Sequence, residues 1–410
     1  MPAPILSRSL YARRKRGAIG LDWFSFFLAD VQTCFGPFMA VYLTSEKWPN
    51  SDIGLMLTVG SVIGLAGQIP AGMLIDATQR ERQIAGIAVA CVGLSALFIA
   101  LSSRFLVVIL SQILHVAASV CIGPALAAMS LGLVGHSHLG LRLGRNAQFA
   151  SAGSIFAIIV MGGSGYFLSS QAVFFMTTAM TVPALLALSL VSPRDQYRHR
   201  PIERQNAPYS VLAALRTLAS NRDLRVLAIG VFFFHLANAG LMPLAASIIT
   251  MRSEQDATIL VALCLIIPQL VVTASSGWIG NRADVSGRKP LLLCAFAALA
   301  LRALLLGFFR EPVAFVALQV LDGISAAIIG VLVSVCVADL TEESHNFNLA
   351  LGIVGAAMGL GAAGSTIMIG DLADWAGAPV AFISMSIIAF VGLIVVRIYL
   401  PETKPDIPVD

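Results

Sequence analysis

Charged residues are scarce in this chain. Aspartate, glutamate, lysine and arginine make up 12% of its 410 residues, whereas hydrophobic residues make up 58%. A soluble globular domain usually carries about 25% charged residues, and one with so few would expose large apolar patches to water. The shortage of charge therefore excludes an ordinary soluble protein and indicates an integral membrane protein.

The chain also lacks the sequence signatures of common enzymes and metal centres. It has no phosphate-binding glycine loop and no nucleophile elbow, so we expect neither an enzyme nor an ATP-driven pump. No CxxC pair is present, and the six cysteines lie inside apolar runs, at 34, 91, 121, 264, 294 and 336. This placement favours packing residues over disulfides or a metal cluster. We expect no cofactor and no resident metal.

Long apolar runs are abundant. Each is roughly 20 residues long, the length that a helix needs to cross a bilayer, and the alternation of outer-membrane barrel strands is missing. The sequence therefore predicts an all-α membrane protein with twelve transmembrane helices, at about 21–43, 52–75, 84–102, 105–133, 147–169, 171–191, 222–250, 257–279, 290–309, 312–340, 347–370 and 378–400.

Lysine and arginine are distributed unevenly between the two sides of these spans. With the N-terminus inside, the outer side holds only Lys47, Arg104, Arg252 and Arg310. The positive-inside rule then places both termini in the cytoplasm. The net charge of +4 reflects this topology and gives no reason to expect a nucleic-acid partner. We expect a multi-pass protein of a bacterial inner membrane, surrounded by lipid and monomeric.

The two halves of the chain repeat each other at a spacing of 206 to 208 residues. FFLADVQTCFGP (26–37) corresponds to FFFHLANAGLMP (232–243), and the positions of Gln112 and His115 correspond to those of Gln319 and Asp322. Such self-similarity indicates a diverged duplication. It predicts two pseudo-symmetric six-helix bundles, over 1–191 and 222–410, joined by a cytoplasmic linker over 192–221.

A charged turn occurs once in each half, as AGMLIDATQRERQ (71–83) and IGNRADVSGRKP (279–290). Both resemble the loop motif G-x-x-x-D-x-x-G-R-[RK] of the major facilitator superfamily, which the chain resembles over essentially its whole length. The second copy matches at Gly280, Asp284, Gly287, Arg288 and Lys289. The first copy retains Gly72, Asp76 and Arg80, but Gln79 and Glu81 replace the second glycine and the second base.

We expect the two motif copies to form conformational latches. Asp76 would face the positive N-terminus of the eleventh span, near Asn346 and Asn348, and Asp284 that of the fifth span, near Asn146. Arg288 has an acidic partner in Asp339. The predicted latch residues are Gly72, Asp76, Arg80, Gly280, Asp284, Gly287, Arg288 and Asp339. The alternative, that these charges only anchor topology, stays open.

Ionisable residues also occur in the middle of the spans, where they are energetically costly and usually functional. Asp30, His115, His235 and Asp322 lie in the first, fourth, seventh and tenth spans. The resemblance implies that these spans line a central cavity. Polar partners are predicted at Gln32, Gln112, Asn238 and Gln319. Asp30 and Gln32 lie about 200° apart on a helix, so both cannot face the cavity.

Other interpretations of these residues remain. Either histidine can instead be a hydrogen-bonded packing residue. Arg302, in the ninth span, is expected to snorkel outward or to pair locally.

These observations predict a secondary active transporter, coupled to protons and working by alternating access. No predicted cavity span carries a midspan lysine or arginine, which disfavours multiply charged anions. We therefore expect a small neutral, weakly cationic or amphipathic solute, such as a drug-like compound or metabolite, with efflux as one direction. The alternatives are a divalent transition-metal transporter and a membrane receptor that no longer transports.

Overall fold

The computed structural model describes residues 8–33, 37–78, 80–192, 216, 220–252, 256–309, 311–342 and 346–404. Within these ranges the chain is helical, and no strand occurs in them. The α-helices are α1 (Arg8–Thr33), α2 (Pro37–Ser45), α3 (Asn50–Thr78), α4 (Glu81–Leu101), α5 (Phe105–Val134), α6 (Leu139–Phe167), α7 (Ala172–Ser189), α8 (Arg222–Asn238), α9 (Leu241–Arg252), α10 (Ala257–Ser286), α11 (Lys289–Phe308), α12 (Pro312–Leu340), α13 (Phe347–Ala376) and α14 (Ala378–Tyr399).

Eleven helical segments among the described residues are long and apolar enough to cross a membrane. Each overlaps one of the predicted spans from the second to the twelfth. The first predicted span contains α1 and α2, and residues 34–36 between these helices lie outside the described residues. The seventh predicted span contains both α8 and α9.

The chain divides into two compact units. The described residues of the first unit fall within 1–67, 71–139 and 149–207, and those of the second within 68–70, 140–148 and 208–410. Most of the predicted linker over 192–221 lies outside the described residues, so the division at that linker stays a prediction.

The internal packing of the first unit recurs in the second. In the first unit α4 packs against α5 and α7, and α1 packs against α7. In the second unit the corresponding pairs are α11 with α12, α11 with α14, and α8 with α14. Matching helices in the two units therefore have matching neighbours, as expected for a duplicated sequence.

The seventh span is interrupted at its centre. Helix α8 ends at Asn238, Ala239 and Gly240 form a turn, and α9 begins at Leu241. Pro243 has no backbone N–H, so it cannot donate to the carbonyl four residues earlier, at Ala239. The amide of Gly240 instead donates to Ser365 Oγ of α13 at 2.9 Å. The broken backbone thus gains a partner from a neighbouring helix, as breaks in membrane helices require.

Candidate functional site

A buried arginine in the second unit gathers three of the residues predicted for the cavity. Arg302 lies on α11 with 1% of its side chain exposed. Its Nη1 donates to Asn238 Oδ1 at 2.8 Å and to Asp322 Oδ1 at 2.6 Å. Its Nη2 donates to Gln319 Oε1 at 2.7 Å. Asn238, Arg302, Gln319 and Asp322 are called the Arg302 cluster below.

Burial differs sharply within the Arg302 cluster. Gln319 is 0% exposed, and its Nε2 donates to the carbonyl of Phe315 at 2.9 Å. The side chain of Asp322, in contrast, is 21% exposed. A buried guanidinium needs an anionic partner and filled hydrogen bonds to be tolerated. Gln319 therefore satisfies the arginine in this conformation, while Asp322 is the partly exposed charged member of the cluster.

Two further ionisable side chains lie near the Arg302 cluster. Cys264 of α10 is 1% exposed and close enough to Arg302 to interact with it electrostatically. His235 lies one turn before Asn238 on α8, is half-buried, and its Nε2 has no hydrogen-bond partner among the described residues. The predicted His235–Asn238 face therefore borders the ion pair.

Two of the predicted polar residues of the first unit are buried. On α5, Gln112 is 6% exposed and His115 is 7% exposed. His115 Nε2 lies 3.4 Å from Ser119 Oγ, one turn along the same helix. The backbone of Asp30 and Gln32 is helical, but their side chains lie outside the described residues. The predicted grouping of these residues into one cavity stays a prediction.

Arg302 is the member of the cluster whose partners sequence reasoning did not identify. An arginine in a peripheral apolar span suits either a snorkelling side chain or a local pair, and the structure shows the local pair. A signal did exist, because Gln319 and Asp322 have i,i+3 spacing and a midspan arginine requires an anionic partner. Spacing alone could not show that α11 directs Arg302 toward that face.

The second motif copy forms a set of contacts at the ends of α6, α10 and α12. Asp284 Oδ1 accepts from the amide of Gly140 at 3.1 Å, and Asp284 Oδ2 accepts from that of Leu141 at 2.8 Å. These amides belong to the first turn of α6, where the helix dipole favours a negative charge. The carboxylate thus meets the fifth span at its first turn, ahead of the expected position near Asn146.

Arg288 completes the second motif copy. Its Nε donates to Asp339 Oδ2 at 2.9 Å, and its Nη1 donates to the carbonyl of Ala283 at 2.8 Å. Arg288 Nη2 lies 3.9 Å from Asp284 Oδ1. One buried guanidinium therefore joins the end of α10 to the end of α12, as the sequence predicts for Arg288 and Asp339.

Two glycines of this motif copy are required by its geometry. Gly287 has a φ of 99°, which side-chain-bearing residues rarely adopt, and a Cβ there would lie 2.6 Å from Glu402 Oε2. A Cβ on Gly280 would collide with the backbone of Gly140. Glycine at these positions permits the turn and the close approach of α10 to the start of α6.

The segment after α14 binds the same motif copy, which sequence reasoning missed. Glu402 accepts from the amides of Arg288 at 2.7 Å and Lys289 at 3.1 Å, at the start of α11. Lys404 Nζ donates to the carbonyl of Val285 at 2.8 Å, at the end of α10. The negative Glu402 lies at the N-terminal end of α11 and the positive Lys404 at the C-terminal end of α10, so both interact favourably with the helix dipoles. Thr403 Oγ1 lies 3.3 Å from Asp339 Oδ2, so the segment also contacts the acidic partner of Arg288.

The first motif copy lies at the end of α3 and the start of α4, and the predicted approach of Asp76 to the start of the eleventh span stays a prediction. Gly72 is buried and Asp76 is half-buried, both on α3, whereas Arg80 is exposed at the residue before α4. Gln79 lies outside the described residues. Arg82 Nη2 donates to the carbonyl of Ser189 at 3.3 Å, at the end of α7.

Within the described part of the chain, no group of three or more histidine, cysteine, aspartate or glutamate residues is placed to hold a metal ion. Five cysteines fall in that part, and all are free thiols: Cys91, Cys121, Cys264, Cys294 and Cys336.

Comparison with known proteins identifies the family. The profile described as Major Facilitator Superfamily matches residues 23–283 and 227–410. An uncharacterized MFS-type transporter of Mycobacterium tuberculosis, found in strains CDC 1551 and H37Rv, is 33% identical over 407 residues. The match covers 97% of this chain and 96% of the relative.

Solved structures share the fold at low sequence identity. The Escherichia coli fucose:proton symporter FucP superposes with a TM-score of 0.74 at 15% identity, covering 95% of this chain and 99% of FucP. The human organic anion transporter MFSD10 (TETRAN) gives 0.73 at 16% identity, covering 93% of this chain and 99% of that one. The predicted fold class is therefore confirmed. The chain belongs to the major facilitator superfamily and is a multi-pass membrane transporter of the secondary type.

Proposed function

We propose that this protein moves a small neutral, weakly cationic or amphipathic solute across a bacterial inner membrane, coupled to protons and by alternating access. The observation that carries the proposal is the partly exposed carboxylate of Asp322, held 2.6 Å from a buried guanidinium. An ionisable residue in this setting is costly and is usually retained for function. Carrying a proton is the function that we propose for Asp322.

The ion pair gives Asp322 two distinct states. Ionised, it neutralises Arg302; protonated, it leaves a buried cation without its anion, which is strongly unfavourable. The protonation state of Asp322 is therefore linked to the position of Arg302. Such linkage is reciprocal, so a change in the position of Arg302 also changes how readily Asp322 takes up a proton. A membrane potential would add about 2.3 kcal/mol per 100 mV for each charge carried across.

The same ion pair supports the proposed solute class. Because the two charges offset each other, the Arg302 cluster carries no net charge when Asp322 is ionised. A neutral or amphipathic solute needs no compensating charge, whereas a strongly cationic one would have to displace Arg302 from Asp322. The fold is shared with a protein named as a fucose:proton symporter, so it can accommodate a neutral solute with a proton.

We also propose that the motif contacts act as the latch of the transport cycle. Asp284 binds two backbone amides of α6, and Arg288 binds Asp339. These contacts are few and are made at helix ends, so they can break and re-form without unfolding a helix. Transporter switching is commonly a movement of preformed helical units.

The test is solute-driven proton movement in proteoliposomes that contain a lumenal pH dye. The solute panel is lipophilic cations, neutral drugs, sugars, monocarboxylates and divalent metal ions. Asp322→Asn and Asp30→Asn are compared with the parent, and Asp374→Asn, at an exposed position near the end of α13, is the matched control. We expect a proton signal with one neutral or amphipathic class, lost in Asp322→Asn and retained in Asp374→Asn.

Each other outcome contradicts a stated part of the proposal. A signal that persists in Asp322→Asn removes the proton role of that residue. A signal with divalent metal ions alone replaces the solute class. Silence across the panel from correctly folded protein favours the receptor alternative.

A further inference from the structure

The interruption between α8 and α9 is fastened on two sides by buried polar contacts. On one side, Asn238 Oδ1, at the last residue of α8, accepts from Arg302 Nη1 of α11 at 2.8 Å. On the other side, Gly240 donates to Ser365 Oγ of α13 at 2.9 Å. Ser365 is 0% exposed. These two contacts leave Ala239 as the residue between the fastened positions.

Arg302 Nη1 connects this interruption to Asp322, a charged residue of α12. Arg302 Nη1 donates both to Asn238 Oδ1 and to Asp322 Oδ1. Arg302 Nε has no hydrogen-bond partner among the described residues, and Nη2 is engaged by Gln319. Three acceptors thus hold the guanidinium: Gln319 at Nη2, and Asp322 and Asn238 at Nη1. Asp322 is the charged one, and it shares its donor nitrogen with Asn238.

We propose that Arg302 is a positioning residue that links the charge on Asp322 to the break between α8 and α9. When Asp322 is neutral, the strong charge-assisted bond that orients Nη1 is lost. The guanidinium then shifts, Asn238 loses its donor, and α9 is free to bend relative to α8. The proposal rests on the proposed proton coupling for its meaning in transport, but the link itself can be tested without a solute.

The other ionisable groups around Asp322 are few. Arg302 comes from α11, Cys264 from α10 and His235 from α8. Helix α13 carries no ionisable residue from Phe347 to Gly370, and the sole charged residue of α9 is Arg252 at its far end. Arg302 is accordingly the cation that responds to a change of charge on Asp322.

Hydrogen–deuterium exchange of the full-length protein in lipid nanodiscs tests the link at constant pH. Asp322→Asn represents the neutral state. We expect the amides of 239–246 to exchange roughly tenfold faster than in the parent, the change expected for loss of one hydrogen bond. Asp374→Asn, which removes an exposed acid near the end of α13, is expected to leave these amides unchanged.

A double variant separates the link from general loosening. Asn238→Ala removes the acceptor at the break, so exchange at 239–246 should already be fast, and adding Asp322→Asn should give no further increase. Additive effects would overturn the proposal. So would unchanged exchange in Asp322→Asn, or an increase spread along all of α11 and α12.

A second route serves if Asp322→Asn does not fold. Arg302→Lys keeps a positive charge, but an ammonium lacks the planar fork that bridges two acceptors. The same roughly tenfold rise at 239–246 is then expected, and unchanged exchange would overturn the link. Faster exchange without solute-driven proton movement would support the link through Arg302 and contradict the proposed function. Solute-driven proton movement with unchanged exchange would support the proposed function and contradict the link.

Discussion

Gly287 lies in the turn between α10 and α11, with a φ of 99°. Replacing it with alanine should destabilise the protein by about 1–2 kcal/mol, because an L side chain is strained in this backbone region. The new Cβ would also press on Glu402, which caps α11. We expect a lower melting temperature for Gly287→Ala in detergent, measured by intrinsic fluorescence.

Gly330 provides the matched comparison for that substitution. It lies inside α12, and a Cβ built on it meets no atom within 4 Å. Gly330→Ala should be neutral or stabilising by about 0.5–1 kcal/mol, since alanine favours a helix interior over glycine. Equal melting temperatures for the two variants would show that the turn at Gly287 does not constrain the fold.

Single residues also show where sequence reasoning succeeds and where it stops. The pairing of Arg288 with Asp339 was predictable, because two charged residues at the inner ends of neighbouring spans have few other partners. A local pair of Arg302 was one of two options and its partner Asp322 was not named, because hydropathy gives the depth of a side chain and not its direction. Direction depends on how α11 is rotated, which its nearly uniform apolar sequence leaves undetermined.

The start of α11 is capped by a residue far away in the chain. Glu402 accepts from the amides of Arg288 and Lys289, two of the donors that a helix start leaves without an internal partner. Glu402→Ala removes both acceptors, and we expect these amides to exchange roughly tenfold faster. Hydrogen–deuterium exchange measures this, with Glu342→Ala, at an exposed position after α12, as the control. Equal exchange in both variants would show that the segment after α14 does not cap α11.

The existence and order of the helices were predictable, but some of their ends were not. Hydropathy predicts the fifth span from 147, whereas α6 begins at Leu139. The added turns carry Arg142, Arg145 and Asn146, which lower the local hydropathy without breaking the helix. The division of the seventh span into α8 and α9 was also unpredicted, although Pro243 gave a local reason for it.

The orientation of the whole molecule follows from its uneven lysine and arginine distribution. If both termini are cytoplasmic, alkaline phosphatase fused after residue 404 should be inactive, because that enzyme folds only outside the cytoplasm. A fusion after Arg252, at the end of α9, should be active because that end is predicted to be outside. Activity in cells, normalised to expression, checks both. An active fusion after residue 404 would contradict the predicted topology.

The Asp284 contacts have a consequence for genetics. Their donors are the backbone amides of Gly140 and Leu141, which almost every residue supplies. Side-chain replacements at 141 therefore keep the donor, apart from proline, while those at 140 are limited by the room that a Cβ would need. We therefore expect that a selection for suppressors of Asp284→Asn will yield no change of side-chain charge at 140 or 141. Suppressor substitutions should arise instead at positions that alter the balance between conformations.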